Sequence, residues 1–295
     1  MLARKMKMIL NRNNETNILI VGLGLMGGSY AKALKKCGYT VNAITKDQSS
    51  IEYALDRGMI DNGALCPDKE LIKSAHMIVF ALYPKVFVQW IKENQHLFSP
   101  GTIITDVTGV KGSVVYEIQD ILRPDVEFIA AHPMAGREVY GVENSDEKIF
   151  EGANYIVTPT EKNTKEAIDI ALELGKILGF KRTAVLTPRE HDEIIAFVSQ
   201  LAHCLAVTLM TCNDMEHLEL YTGNSFRDLT RIAKINEDMW SELFMMNKPA
   251  LIKEMESFEA QFDLLKNMIK ADDVEGMKTM MRSSTARRTT FDKNE

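Results

Sequence analysis

Over roughly its first 187 residues the chain alternates short apolar runs with segments in which apolar positions recur at helical spacing. The runs at 18–21, 39–45, 77–81, 102–106, 127–131, 155–158 and 182–185 have the length and content of buried strands. Segments at 29–37, 50–57, 85–96, 111–122 and 164–178 carry the helical period between them. Strand and helix in alternation predict a doubly wound parallel sheet, whose ligands sit beyond the carboxyl ends of the strands. After Thr187-Pro188 the strand signal stops and nearly everything reads as helix. The predicted organisation is a polar lead-in at 1–16, an α/β dinucleotide-binding domain at 17–187 and an all-helical substrate and dimerisation domain at 188–295.

Two helical stretches bear on assembly. The segment 194–210 is apolar almost all round, but falls short of the roughly 20 residues that a bilayer requires and carries Ser199, Gln200 and His203 in its middle. A helix buried in a soluble domain or dimer is therefore expected, with no membrane partner. Further on, Leu251, Met255, Phe258, Phe262, Leu265 and Ile269 recur at spacings of four, three, four, three and four. Such a seam packs against another helix of the same chain or of a second subunit. The two stretches together favour a homodimer through the helical domain.

The first strand empties into Gly22-Leu23-Gly24-Leu25-Met26-Gly27, a G-x-G-x-x-G turn followed by a helix. Each glycine has a distinct task there. Gly22 makes the tight turn, Gly24 lets backbone approach a pyrophosphate, and Gly27 lets helix and strand pack closely. The free N–H groups at the helix start then face the phosphates. The cofactor-binding positions are read as Gly22, Leu23, Gly24, Leu25, Met26 and Gly27, with Thr45 and Lys46 after the second strand and Ala81 after the third. An NAD site places an acid near position 45 to hold the ribose hydroxyls. Thr45 stands there, Lys46 offers a charge to a 2′-phosphate, and Asp47 comes two positions late. NAD or NADP is therefore expected, with a narrow lean toward NADP.

Charge and cysteine content narrow the class. A net charge of −6 gives no reason to expect a nucleic-acid partner. Cys37, Cys66, Cys204 and Cys212 form no C-x-x-C pair or metal-finger spacing, as in a reducing cytoplasm. The lead-in carries Arg4, Lys5, Lys7 and Arg12 without the apolar core of a secretion signal. His203, Cys212 and His217 fit no common metal pattern, so no metal is expected.

Among the histidines, His132 lies where a strand meets the loop Pro133-Met134-Ala135-Gly136, at the ligand edge of the predicted sheet. It reads as a general base working near neutral pH, against the plainer reading of a loop histidine. Thr108, after another strand at the same edge, is placed to orient an imidazole or touch a nicotinamide, and Lys111 reads as an exposed residue at a helix start. In the helical half, Ser225 and Asp228 make a capping-box-like pair. Arg227, Arg231 and Lys234 share one helix face, either a solvated cationic stripe or a clamp for a substrate carboxylate.

With these motifs in hand, the chain resembles the prephenate/arogenate dehydrogenase family of tyrosine biosynthesis. The resemblance rests on the glycine turn through Ser29, on Ala131-His132-Pro133-Met134-Ala135-Gly136-Arg137-Glu138 and on Phe226-Arg227-Asp228-Leu229-Thr230-Arg231-Ile232-Ala233. It covers about residues 17–280, and no appended regulatory domain or fused mutase segment is recognisable. It implies NAD(P)-dependent oxidative decarboxylation of prephenate to 4-hydroxyphenylpyruvate, or of its amino analogue arogenate to tyrosine. It further implies that His132 is the base, Arg231 the carboxylate anchor, His203 a substrate-site histidine, Glu138 a partner of the arginine region and Asp228 a support of the Arg231 helix. Two positions depart from the family pattern: Gly109 replaces a serine that bonds the catalytic histidine in many relatives, and Gln200 replaces a histidine found in some. A non-catalytic nucleotide-sensing dimer is the competing class. It would be expected to have lost His132 or Arg231, and both are present.

Overall fold

The computed structural model describes residues 15–292. Apart from its last two residues, the lead-in expected at 1–16 lies outside them. Six strands, β1 (Asn17–Val21), β2 (Thr40–Ile44), β3 (Asn62–Ala64), β4 (Met77–Phe80), β5 (Ile103–Asp106) and β6 (Glu127–Phe128), form one parallel sheet in the order β3-β2-β1-β4-β5-β6. Alternate residues of one strand feed two cores: Ile18 and Ile20 pack on one face, Leu19 and Val21 on the other. Burial on both faces explains why these strands read as unbroken apolar runs. Each such fully buried aliphatic side chain stabilises the fold by roughly 1.5–3 kcal/mol. The strand β3 has the sequence Asn-Gly-Ala and no apolar run, so hydrophobic pattern alone passes over it.

Helices α1 (Leu25–Lys36), α2 (Gln48–Asp56), α3 (Lys69–Ser74), α4 (Pro84–Asn94) and α5 (Gly112–Ile121) connect the strands. The order reverses at β1, which pairs with both β2 and β4, and this is the switch point at which such sheets bind their ligands.

The expected strand 127–131 is two strands. The β5 ladder ends at Asp106, whose side-chain Oδ1, in place of a backbone carbonyl, accepts the Ala131 N–H at 3.1 Å. The chain then enters a second, three-stranded sheet: β7 (Ala130–Met134) pairs antiparallel with β8 (Asn154–Thr158), and β8 pairs parallel with β9 (Arg182–Val185). Helix α6 (Lys165–Ile177) joins β8 to β9. The second half of the expected strand 127–131 and the last two expected strands therefore leave the parallel sheet, and His132 lies on the strand that makes the change.

The chain then runs into α7 (Pro188–Thr211), a continuous helix of 24 residues that starts on a Thr187–Glu190 capping box with proline at its first position. Its middle, Ala196–Leu201, is wound as a π turn. By length and apolar composition α7 is long enough to cross a membrane, which corrects the expectation of a shorter segment. Helix α8 (Asn224–Thr230) passes into a 3-10 turn at Arg231–Ala233, followed by α9 (Glu237–Met246). The chain divides into two compact units, one ending at Asn247 and one beginning at Lys248. The second consists of α10 (Lys248–Lys270) and α11 (Val274–Asp292). On α10 the seam residues Met255, Phe258, Phe262 and Ile269 are exposed. Residues 282–291 are the exposed end of α11.

Candidate active site

The glycine turn has the shape its spacing predicts. Gly22 has φ +97°, and a Cβ there would lie 2.3 Å from the carbonyl oxygen of Ala81, at the end of β4. A Cβ on Gly27 would lie 1.9 Å from the Gly22 carbonyl oxygen, so only glycine lets α1 pack this close. Gly24, the N-cap of α1, has open space in front of it. No side chain caps α1 and no acid lies in its first turn, which suits the phosphates of a dinucleotide. Leu23 is buried in the core and Met26 packs against it, so these two face the sheet. After β2, Thr45 donates its N–H to Ala64 and Lys46 is exposed. Asp47 caps α2, its Oδ2 accepting from Ser49 Oγ at 2.8 Å and from Ser50 N at 2.9 Å.

At the end of β5 lies a fully buried ion pair. Lys111 Nζ donates to Asp106 Oδ2 at 2.6 Å and to the Ala131 carbonyl at 2.6 Å, and both side chains are wholly inaccessible. This corrects the reading of Lys111 as an exposed helix-start residue. Burial pushes its pKa down, and the Asp106 carboxylate beside it pulls the other way. The Thr108 hydroxyl bonds to Asp106 Oδ2 and contacts the Val110 carbonyl oxygen at 3.0 Å. It belongs to this cluster, and the expectation that it orients an imidazole is not met.

The partner of His132 is a residue that sequence reasoning missed. His132 Nδ1 lies 2.8 Å from His191 Nε2, and His191 Nδ1 lies 2.7 Å from Asp192 Oδ1. Asp192 is itself fixed at the start of α5, accepting from Lys111 N at 2.8 Å and from Gly112 N at 2.7 Å. Burial, His191 and the Lys111 charge hold the His132 pKa well below its usual value. That of His191 is also lowered, chiefly by burial and in spite of Asp192. The other side of the His132 ring borders Gly109, where a Cβ would lie 3.9 Å from Nε2.

A second set of side chains is more open. Arg231 ion-pairs through its NH1 with Glu138, in the loop after β7. His203 stacks on Trp240 with ring centroids 3.6 Å apart and donates from Nδ1 to the Ser199 carbonyl at 2.9 Å. Its pKa is lowered by burial, opposed by the Ser199 bond and Glu138, with Arg231 adding to the lowering. Arg227 donates to Thr222 instead, and Asp228 is exposed. The expected Ser225–Asp228 capping box does not form, because α8 starts two residues earlier, on Gly223, without a side-chain cap. Nor do Arg227, Arg231 and Lys234 share one helical face, since the winding tightens at Arg231 and Lys234 is extended.

Comparison with known proteins gives the family. The family described as prephenate dehydrogenase, nucleotide-binding domain, matches residues 30–186, and prephenate dehydrogenase, dimerization domain, matches 187–283. The chain belongs to the prephenate dehydrogenase family. The prephenate dehydrogenase of Bacillus subtilis is 30% identical over 91% of this chain and 74% of its own length. That of Lactococcus lactis is 31% identical over 83% and 69%. The crystal structure of prephenate dehydrogenase from Aquifex aeolicus, in complex with hydroxyphenyl propionate and NAD+, is 30% identical. It superposes with a TM-score of 0.86 over 94% of this chain and 98% of that one.

Within this family the two departures have structural answers. Gly109 sets no side chain beside His132 Nε2, where the Leu243 methyl groups pack close by, and the opposite ring nitrogen is held by His191. Gln200 is buried in the π turn, donating to the Leu243 carbonyl at 3.1 Å and accepting from Asn247 at 2.8 Å. It ties α7 to α9 and is turned away from solvent. His191, Asp192 and Gln200 thus anchor α7 through polar bonds inside the fold.

Proposed function

We propose that this chain catalyses the NAD(P)-dependent oxidative decarboxylation of prephenate to 4-hydroxyphenylpyruvate in tyrosine biosynthesis, in the cytoplasm. The observation that carries this reading is His132, held by Nδ1 against His191 with Nε2 beside Gly109, a residue with no side chain of its own. Nε2 accepts the proton of the ring hydroxyl while hydride leaves the same carbon, turning the carbinol into a carbonyl. The bond to the ring carboxylate then breaks, its electron pair aromatises the ring, and carbon dioxide departs. The carbonyl oxygen, now phenolic, takes a proton back from His132. The nicotinamide, when bound, supplies the hydride acceptor.

Residues 17–187 hold the dinucleotide in this scheme, with its pyrophosphate at Gly22, Gly24 and Gly27, its ribose by Thr45 and Lys46, and Ala81 at the rim. Leu23, Leu25 and Met26 contribute through the backbone of the turn. Arg231 grips a substrate carboxylate, Glu138 holds the guanidinium until substrate arrives, and Asp228 supports the Arg231 turn. His203, stacked and neutral, presents Nε2 to the substrate. Thr108 acts indirectly, through the Asp106–Lys111 pair.

Residues 188–295 provide the substrate and dimerisation half. Exposed Ile194, Phe197 and Val198 on α7 of the first unit and, separately, Met255, Phe258 and Phe262 on α10 of the second each offer apolar surface for a homodimer. A monomer mass by light scattering at micromolar concentration, with full activity, would refute the dimer. The function is tested by following reduced nicotinamide absorbance with prephenate and with arogenate, each with NAD and with NADP. Turnover of prephenate is expected. Turnover of arogenate alone would assign the amino analogue, and turnover of neither would leave a nucleotide-sensing dimer.

A further inference from the structure

We propose that His191 is a positioning residue that fixes His132 in its Nδ1–H tautomer, so that Nε2 is the only ring nitrogen able to take a proton. The assignment follows from the far end of the relay. Both oxygens of Asp192 accept backbone N–H bonds, from Lys111 at 2.8 Å and Gly112 at 2.7 Å, at the start of a ten-residue helix. Each oxygen of the side chain thus faces a backbone N–H, so both are placed as acceptors. A carboxylate 2.7 Å from His191 Nδ1 requires a proton on that nitrogen. Neutral His191 then has a bare Nε2, which accepts the bond across 2.8 Å, and the donor there is His132 Nδ1–H. Nε2 of His132 is left unprotonated beside Gly109.

The reverse arrangement, with His191 donating to His132, needs either a protonated Asp192 or a doubly protonated His191. The first sets a proton on a group whose two oxygens each already face a backbone N–H. The second buries a cation beside the Lys111 ammonium, although Asp106 and Asp192 also face the ring. Once Nε2 has taken the substrate proton, the charge on His132 is stabilised through His191 by the Asp192 carboxylate, without a proton leaving the site.

The proposal rests on the reading of His132 as the base, but its first test does not depend on turnover. In the full chain labelled with ¹⁵N-histidine, the nitrogen shifts of His132 near neutral pH are expected to show protonated Nδ1 and bare Nε2. Loss of these resonances in His132→Asn makes the assignment. A His132 ring protonated at Nε2, or an even mixture of tautomers, would overturn it. As a second test, His191→Phe removes the acceptor and is expected to lower kcat by on the order of 10²-fold or more, with KM little changed, as when a catalytic histidine is left in the wrong tautomer. His191→Gln, whose amide oxygen accepts the same bond, is expected to recover most of that loss. Wild-type kcat in His191→Phe would refute the role. Should that variant fail to fold, the wild-type tautomer and the Gln variant decide the matter. A wild-type protein inert toward prephenate would remove the function and leave the tautomer result standing.

Discussion

The buried polar cluster behind His132 and the open pair at Arg231 use similar charges to opposite ends. Lys111 and Asp106 are wholly inaccessible, whereas the side chain of Arg231 is 64% exposed and that of Glu138 32%. In a low-dielectric interior each charge needs its partner, and the geometry is held rigidly. At the surface an ion pair contributes at most about 1 kcal/mol, so a substrate carboxylate replaces Glu138 at small cost. In the proposed scheme the site combines a base that does not move with an anchor that changes partners.

The comparison is broken most directly at the base. His132→Asn is expected to lower kcat by about 10²–10⁴-fold while retaining cofactor binding, measured by steady-state kinetics and dinucleotide titration. Near-wild-type turnover would exclude His132 as the base. Because the folded protein depresses the His132 pKa, the ring stays neutral at and below its usual value near 6.5. The acid limb of kcat/KM is therefore expected below 6.5. The same sign holds for stability, which is intact above 6.5 and lost as pH falls toward the lowered value, since the unfolded chain binds the proton more readily.

Next in size is the buried pair. Lys111→Met leaves Asp106 without its cation and is expected to cost about 3–5 kcal/mol in urea unfolding. The double variant Lys111→Met with Asp106→Leu is expected to recover part of this loss. A neutral single variant would show that the cluster is not the rigid half of the site. On the open side, Arg231→Gln is expected to weaken prephenate binding by about 2–4 kcal/mol, because the guanidinium is desolvated only once substrate covers it. Arg227→Gln, whose side chain is bonded to Thr222, is expected to change binding by well under that amount. Equal small effects from both would return the two arginines to a solvated stripe.

What the chain revealed in advance divides along the same line. The glycine turn, the position of His132 at a strand end and the alternation of strands with helices are local, so pattern and spacing disclose them. Lys111 did not disclose itself, because its burial depends on Asp106 and on Asp192, which lies 81 positions further on. His191 meets His132 across 59 positions. One faint signal existed: His191 precedes buried Ile195 by one helical turn, on the inward stripe of α7. The division of 127–131 between two sheets was likewise hidden, because it depends on a side chain of β5 replacing a ladder carbonyl.

The smallest expected effect is cofactor choice. The carboxylate of Asp47 is engaged in capping α2, which leaves Thr45 and Lys46 to meet the ribose. Comparable kcat/KM with NAD and NADP is expected, with a narrow lean toward NADP. A hundredfold preference for NAD would mean that an acid reaches the ribose after all.

The π turn in α7 has a consequence for which insertions and deletions the enzyme tolerates. Along an ideal helix, residues nine apart point about 180° from each other, which would turn Gln200 outward whenever His191 points inward. The wider turn at Ala196–Leu201 holds back everything after it by about one residue, or roughly 100°, and both side chains end up inside. The helix therefore runs in two phases, one set by the base and one by the α9 contact. Deleting a single residue from that turn would restore a uniform winding and force the protein to give up one phase or the other. Such a deletion is expected to do more harm than most substitutions within the same stretch.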